Sequence, residues 1–166
     1  MWFRLFSFLK FLSKSKNEHG VHSPFVFSYV TQCLYSKQKF DQDKTADVLL
    51  KSIGYFDIKT IYINQNQDLE ELIKAQYPSI RTSENTVDLL FSKHLDAYGL
   101  DRLLSSGKLH NDSMVLIDSI HEDPESEQEW KDLIESPNIS VSMDLFHCGV
   151  LFVRKEQVKE HFTIRI

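Results

Sequence analysis

Three features of the chain predict an α/β protein built on a doubly wound, mostly parallel sheet. From Thr60 onward, short apolar runs alternate with segments whose apolar residues recur at helical spacing. Two of those runs, residues 87–91 and 114–118, read as strands buried on both faces, as central parallel strands are. Near the end, "ISVSMDLF" and "GVLFVRK" read as an antiparallel pair, a common edge on such sheets. The 166 residues suit a single domain, with N-terminal helices over 1–57 and a sheet core over 58–166.

Residues 2–14 place Trp2, Phe3, Leu5, Phe6, Phe8, Leu9, Phe11 and Leu12 around a narrow stripe of Arg4, Ser7, Lys10 and Lys14, which predicts a helix with a wide apolar face. Two readings follow: packing on the domain itself or on a second subunit, or a peripheral contact with a membrane surface. The first is preferred, because an interfacial helix usually carries a broader charged face. Ser23 followed by Pro24 is a good helix start, and that helix should reach about Tyr35. Ala46, Leu49, Leu50, Ile53 and Phe56 mark the next helix, beginning near Asp43.

The first strand is expected at 60–64. Asp68 and Glu71 then form a capping box for a helix that ends before Pro78. A short strand is expected at 80–83, the central strand at 87–91, and a helix at 95–104 closed by Gly107. "HND" reads as a turn before a strand at 114–118. Asp123-Pro124 opens a helix that stops at Ser136-Pro137, and "HFTIRI" reads as a last β-like tail.

A net charge of −5 gives no global pull toward nucleic acid, which needs a basic surface. Cys33 and Cys148 are too few for a disulfide framework and lie in apolar surroundings, so a reduced, buried state in the cytoplasm is expected. No apolar run is long enough to span a bilayer, and Arg4, Ser7 and Lys10 interrupt the first segment, which argues against a signal peptide.

Ligands of open α/β sheets sit beyond the carboxyl ends of the strands, where strand order reverses. That rule selects Asn64-Gln65-Asn66, Ser92-Lys93-His94 and Asp118-Ser119-Ile120-His121. No glycine occurs between Gly54 and Gly99, so the first loop lacks the residues that let backbone approach a cofactor. Asn64 and Gln65 are nevertheless the cofactor-binding candidates there. Glu84, about twenty residues further on, stands where an acid holding ribose hydroxyls would be. His94, Asp118 and His121 are the candidate catalytic residues, with Asp118 and His121 as an acid/base pair. A nucleophilic Ser92 or Ser119 has little support without a G-x-S-x-G motif. One carboxylate in the three loops is too few for a hard cation, and His19 and His22 lack partners for zinc, so no metal is expected.

"HGVHSPFVF" together with the run from "SMVLIDSIHEDPESEQEW" to "RKEQVKEHFTIRI" resembles a bacterial family of class I S-adenosylmethionine-dependent methyltransferase-like proteins. The resemblance covers about the first forty residues and nearly everything from Val87 onward. It implies a Rossmann-like methyltransferase sheet, mostly parallel with an antiparallel C-terminal hairpin, with S-adenosylmethionine as cofactor if the protein is active. Family members are longer, and the shortfall lies between Phe40 and Val87, on the cofactor side. There "INQNQDLEEL" replaces an E-x-G-x-x-x-G type loop, Ser92 stands in place of an acid, and Ser119 in place of the second acid of a D-D-I-H type motif. Glycines, ribose contacts and acids are altered together while core-forming segments remain. The expectation is a degenerate, non-catalytic methyltransferase-like protein kept as a binding or scaffold module. An active O- or N-methyltransferase acting on a small molecule is the alternative. A homodimer through the N-terminal helix or an open sheet edge is the expected self-association.

Overall fold

The computed structural model describes residues 2–166, apart from the side chain of His19. Seven strands form one mixed sheet: β1 Thr60–Ile63, β2 Arg81–Thr82, β3 Val87–Ser92, β4 Leu109–Asp118, β5 Val141–Asp144, β6 Cys148–Phe152 and β7 Glu160–Thr163, in the order β2-β1-β3-β4-β6-β5-β7. β2, β1, β3 and β4 run parallel, and β6 is antiparallel to both β4 and β5. β7 pairs parallel with β5. The antiparallel pair is therefore not the edge: β6 lies between β4 and β5, and β7 is outermost.

Helices cover both faces. α2 (Pro24–Tyr29), its π-helical continuation Val30–Leu34, α3 (Lys44–Tyr55) and α4 (Gln67–Gln76) pack Val26, Tyr29, Leu49, Ile53 and Ile73 against Ile61, Leu89, Leu116 and Phe152. α5 (Ala97–Ser105) and α6 (Pro124–Glu135) pack Leu100, Trp130 and Leu133 against Leu90, Val115, Ile117 and Leu151. α1 (Trp2–Lys14) rests on the rim, where Phe8 and Phe11 meet Phe146 at ring distances of 4.8 and 5.4 Å.

Local chemistry explains the helix starts. Ser23, Asp43, Asp96 and Asp123 each accept a backbone N–H three residues on. For α4 the cap is Asn66, whose Oδ1 accepts from the Leu69 amide at 3.0 Å, so the helix opens before the expected Asp68–Glu71 box. "HND" is not a turn: β4 runs through it, held where Ser113 Oγ donates to the Val87 carbonyl and the His110 ring pairs with Asp88. Cys33 and Cys148 are buried free thiols; burial pushes Cys33 up to about 12, and Cys148 higher still. No helix among the described residues is long and apolar enough to cross a membrane.

The edges differ. β7 is covered by the chain after α1, where the Lys16 amide donates to the Thr163 carbonyl at 2.8 Å. The other edge, β2, is two exposed residues long, a length that blunts strand addition. From β2 the chain reaches β3 through residues 83–86 alone, skipping across β1. Such a crossover ordinarily takes a dozen residues or more, usually a helix. Its absence leaves Tyr62 and Leu90 lining an open cavity of about 340 Å³ on the α5 side.

Candidate functional site

Strand order reverses between β1 and β3, which places the expected ligand mouth at their carboxyl ends. There the polar groups bond to one another. The Asn64 amide donates to the Phe91 carbonyl at 2.9 Å, and Asn64 Nδ2 donates to Ser92 Oγ at 3.1 Å. Ser92 Oγ in turn donates to the His94 carbonyl, not to its ring, at 2.7 Å. Gln65 makes the turn a glycine would make, at φ 54°, with its side chain exposed. On the other side of the mouth, Thr45 Oγ1 in the first turn of α3 donates to Asp118 Oδ1 at 2.8 Å. What remains is a cavity of about 260 Å³ lined by Asp43, Thr45, Asn66, Leu69, Phe91 and Asp118. That is below the roughly 300–1,000 Å³ of ordinary small-molecule sites. Among the described residues, no buried side-chain polar atom lacks a hydrogen-bond partner.

Asn64, Ser92 and His94 also border the larger cavity left by the short crossover. Its lysine and arginine are cationic: Lys108 lies 3.4 Å above the Tyr62 ring and Arg102 stands at the wall beside the His94 ring, with no carboxylate among the described lining residues. Glu84, expected near a ribose, is mostly exposed, with its carboxylate 3.5 Å from Lys108 Nζ. His94 is exposed and stands 3.7 Å from Glu129.

Asp118 and His121 do not pair. His121 is buried with Nε2 2.8 Å from Asp144 and Nδ1 3.4 Å from Glu127, and its ring stacks on Phe146. Burial by itself would lower its pKa, but hydrogen bonds and charge from Asp144 and Glu127 outweigh that and raise it. Glu127 also receives Ser7 Oγ of α1 at 3.0 Å, Lys131 at 2.6 Å and Lys10 at 3.7 Å. Burial opposes its ionisation, yet the Lys131 and Ser7 hydrogen bonds and the Lys131 charge bring it down to about 2. Both ring nitrogens of His121 face carboxylates, an arrangement that favours its protonated form. His121 thereby ties α6 to the β5 end of the sheet, and the Ser7–Glu127 bond brings α1 into the same cluster.

The structure thus spreads the six sequence candidates over separate places. Asn64 and His94 border the open cavity, Glu84 stands exposed beside Lys108, Gln65 is exposed in the loop after β1, Asp118 is held by Thr45, and His121 is in the rim cluster. Thr45, Glu127 and Asp144 escape the sequence reading because their partners lie 73, 6 and 23 residues away. A visible cue is Asp144 itself, the one charged residue in the run "ISVSMDLF". No group of three or more His, Cys, Asp or Glu side chains among the described residues is placed to hold a metal ion. No protein-family model matches the chain, and no curated protein gives a significant match.

Proposed function

We propose that the chain is a methyltransferase-like protein without catalysis, kept as a binding or scaffold module. One observation carries the reading: at the reversal point of the sheet, Asn64 is bonded to Ser92 and Asp118 to Thr45, so the groups that would greet a nucleoside are spent on each other. A ligand that used these same atoms would give up those bonds, each worth about 1 kcal/mol. Electrostatics points the same way. S-adenosylmethionine is a sulfonium cation, and the adjoining cavity offers it Lys108 and Arg102 without a carboxylate among the described lining residues.

The second reading, an active S-adenosylmethionine-dependent O- or N-methyltransferase, draws on the size of that cavity, about 340 Å³, and its contact with Asn64 and His94. Thermal melts with S-adenosylmethionine and S-adenosylhomocysteine separate the two. Bound ligand at a hundred times its dissociation constant would add about 2.7 kcal/mol, roughly 5–10 °C in a domain of this size. The expected result is no shift at millimolar ligand. A saturable shift abolished by Gln65→Trp would establish cofactor binding and leave the non-catalytic reading without its foundation.

A further inference from the structure

We infer that α1 is a docking face for an anionic lipid surface. The 3.6-residue repeat sets Trp2, Leu5, Phe6 and Leu9 on one side of the helix, and all four face outward, at 84%, 52%, 71% and 57% exposure. The other side is fixed. Phe11 is buried, Ser7 donates to Glu127, and Phe8 meets the Phe146 ring edge-on. Phe146 is itself held at φ 68°, unusual for a bulky residue, with its amide donating to Asp144 Oδ1 at 2.9 Å. The helix is thus seated by one face, and its apolar stripe is left exposed among the described residues.

Charge selects the occupant. Residues 2–16 contain Arg4, Lys10, Lys14 and Lys16 and no acid, so they carry +4 in a chain whose net charge is −5, leaving −9 on the remainder. An anionic bilayer attracts this end and repels the body, which turns the stripe toward the lipid. A two-fold dimer through α1 would instead oppose +4 with +4. A head-to-tail contact would need an apolar patch elsewhere to receive the stripe. Outside α1, the exposed large hydrophobic residues among those described, Phe27, Tyr98 and Val158, are scattered singly. An apolar stripe flanked by basic residues, without a matching surface on another copy, is the chemistry of interfacial binding. This inference stands independently of the methyltransferase reading.

The test uses the full chain and its two tryptophans, Trp2 exposed and Trp130 buried. Vesicles of phosphatidylcholine alone and of mixed phosphatidylcholine and phosphatidylglycerol are sedimented with protein, and tryptophan emission is recorded. Binding to the anionic vesicles, with a blue shift that Trp2→Ala removes, is expected. Phe6→Glu with Leu9→Glu should abolish binding while leaving the melting temperature near wild type. Arg4→Gln and Lys14→Gln should each weaken binding about fivefold. Equal binding to neutral vesicles, no binding to either, or a dimer by sedimentation equilibrium that Phe6→Glu dissociates would overturn the proposal.

Discussion

The two ends of the sheet are built to different standards. From β4 to β7 the structure is thick: every residue of β5 and β6 is buried, Trp130 fills the groove over Gly149, and the outer edge is covered by the chain around Lys16. From β3 to β2 it thins: β1 has one fully buried residue, β2 none, and a four-residue link replaces the usual crossover helix. At the thick end buried charges are tied into the packing. At the thin end polar side chains close a mouth. The difference teaches that a well-buried core and loops whose polar side chains bond to one another can coexist in one sheet, because hydrophobic burial and loop geometry reside on different residues.

Truncation at the thick end should give the largest effect. Trp130→Ala removes the ring that packs on Gly149, where even a Cβ would collide with it, and should cost about 3–5 kcal/mol in denaturant unfolding. A smaller loss, under 2 kcal/mol, would mean that the groove collapses easily and that the thick end is softer than its burial implies.

His121→Ala comes next, at about 3 kcal/mol, because it leaves the buried Asp144 carboxylate without its ring partner, while Glu127 keeps Lys131 and Ser7. The same residue sets a pH signature. Its folded pKa is raised, so its contribution is complete below the unfolded value of about 6.5 and is lost as pH climbs through the folded value. His147 and His161, lowered first by burial, act in the opposite sense: their contribution is lost as pH falls through about 6.5. The difference in stability between wild type and His121→Gln isolates the first effect and should shrink on the alkaline side. A difference that is constant with pH would contradict a charged His121.

The smallest effect belongs to the mouth. Asn64→Ala and Ser92→Ala should each cost about 1 kcal/mol, with a coupling of about 0.5 kcal/mol or more in the double-mutant cycle, because the two side chains bond to each other. Strict additivity would show that the mouth is not held by this pair.

Much of the fold was legible because it is written locally. Helix caps at Ser23, Asp43 and Asp123 and the buried runs of β3 and β6 depend on neighbours in sequence. The beginning of β4 was illegible because polar residues there are satisfied by Asp88 and Val87 on β3, more than twenty residues back. The missing glycines drew attention to the loop after β1, yet its bond to Ser92 is a contact across 28 residues that no local pattern reveals. The rim cluster is likewise a product of the sheet. Asp144 at the end of β5 and His121 beyond β4 meet across 23 residues of chain.

The central claim, that the mouth is occupied by its own side chains, is tested most directly by nuclear magnetic resonance of the Asn64 side-chain amide and the Ser92 backbone amide during titration with S-adenosylhomocysteine. The account predicts that neither signal moves up to millimolar ligand. Saturable shifts at both, with distant amides such as that of Leu151 unmoved, would mean that the Asn64–Ser92 bond opens to admit a nucleoside, and the account would fail.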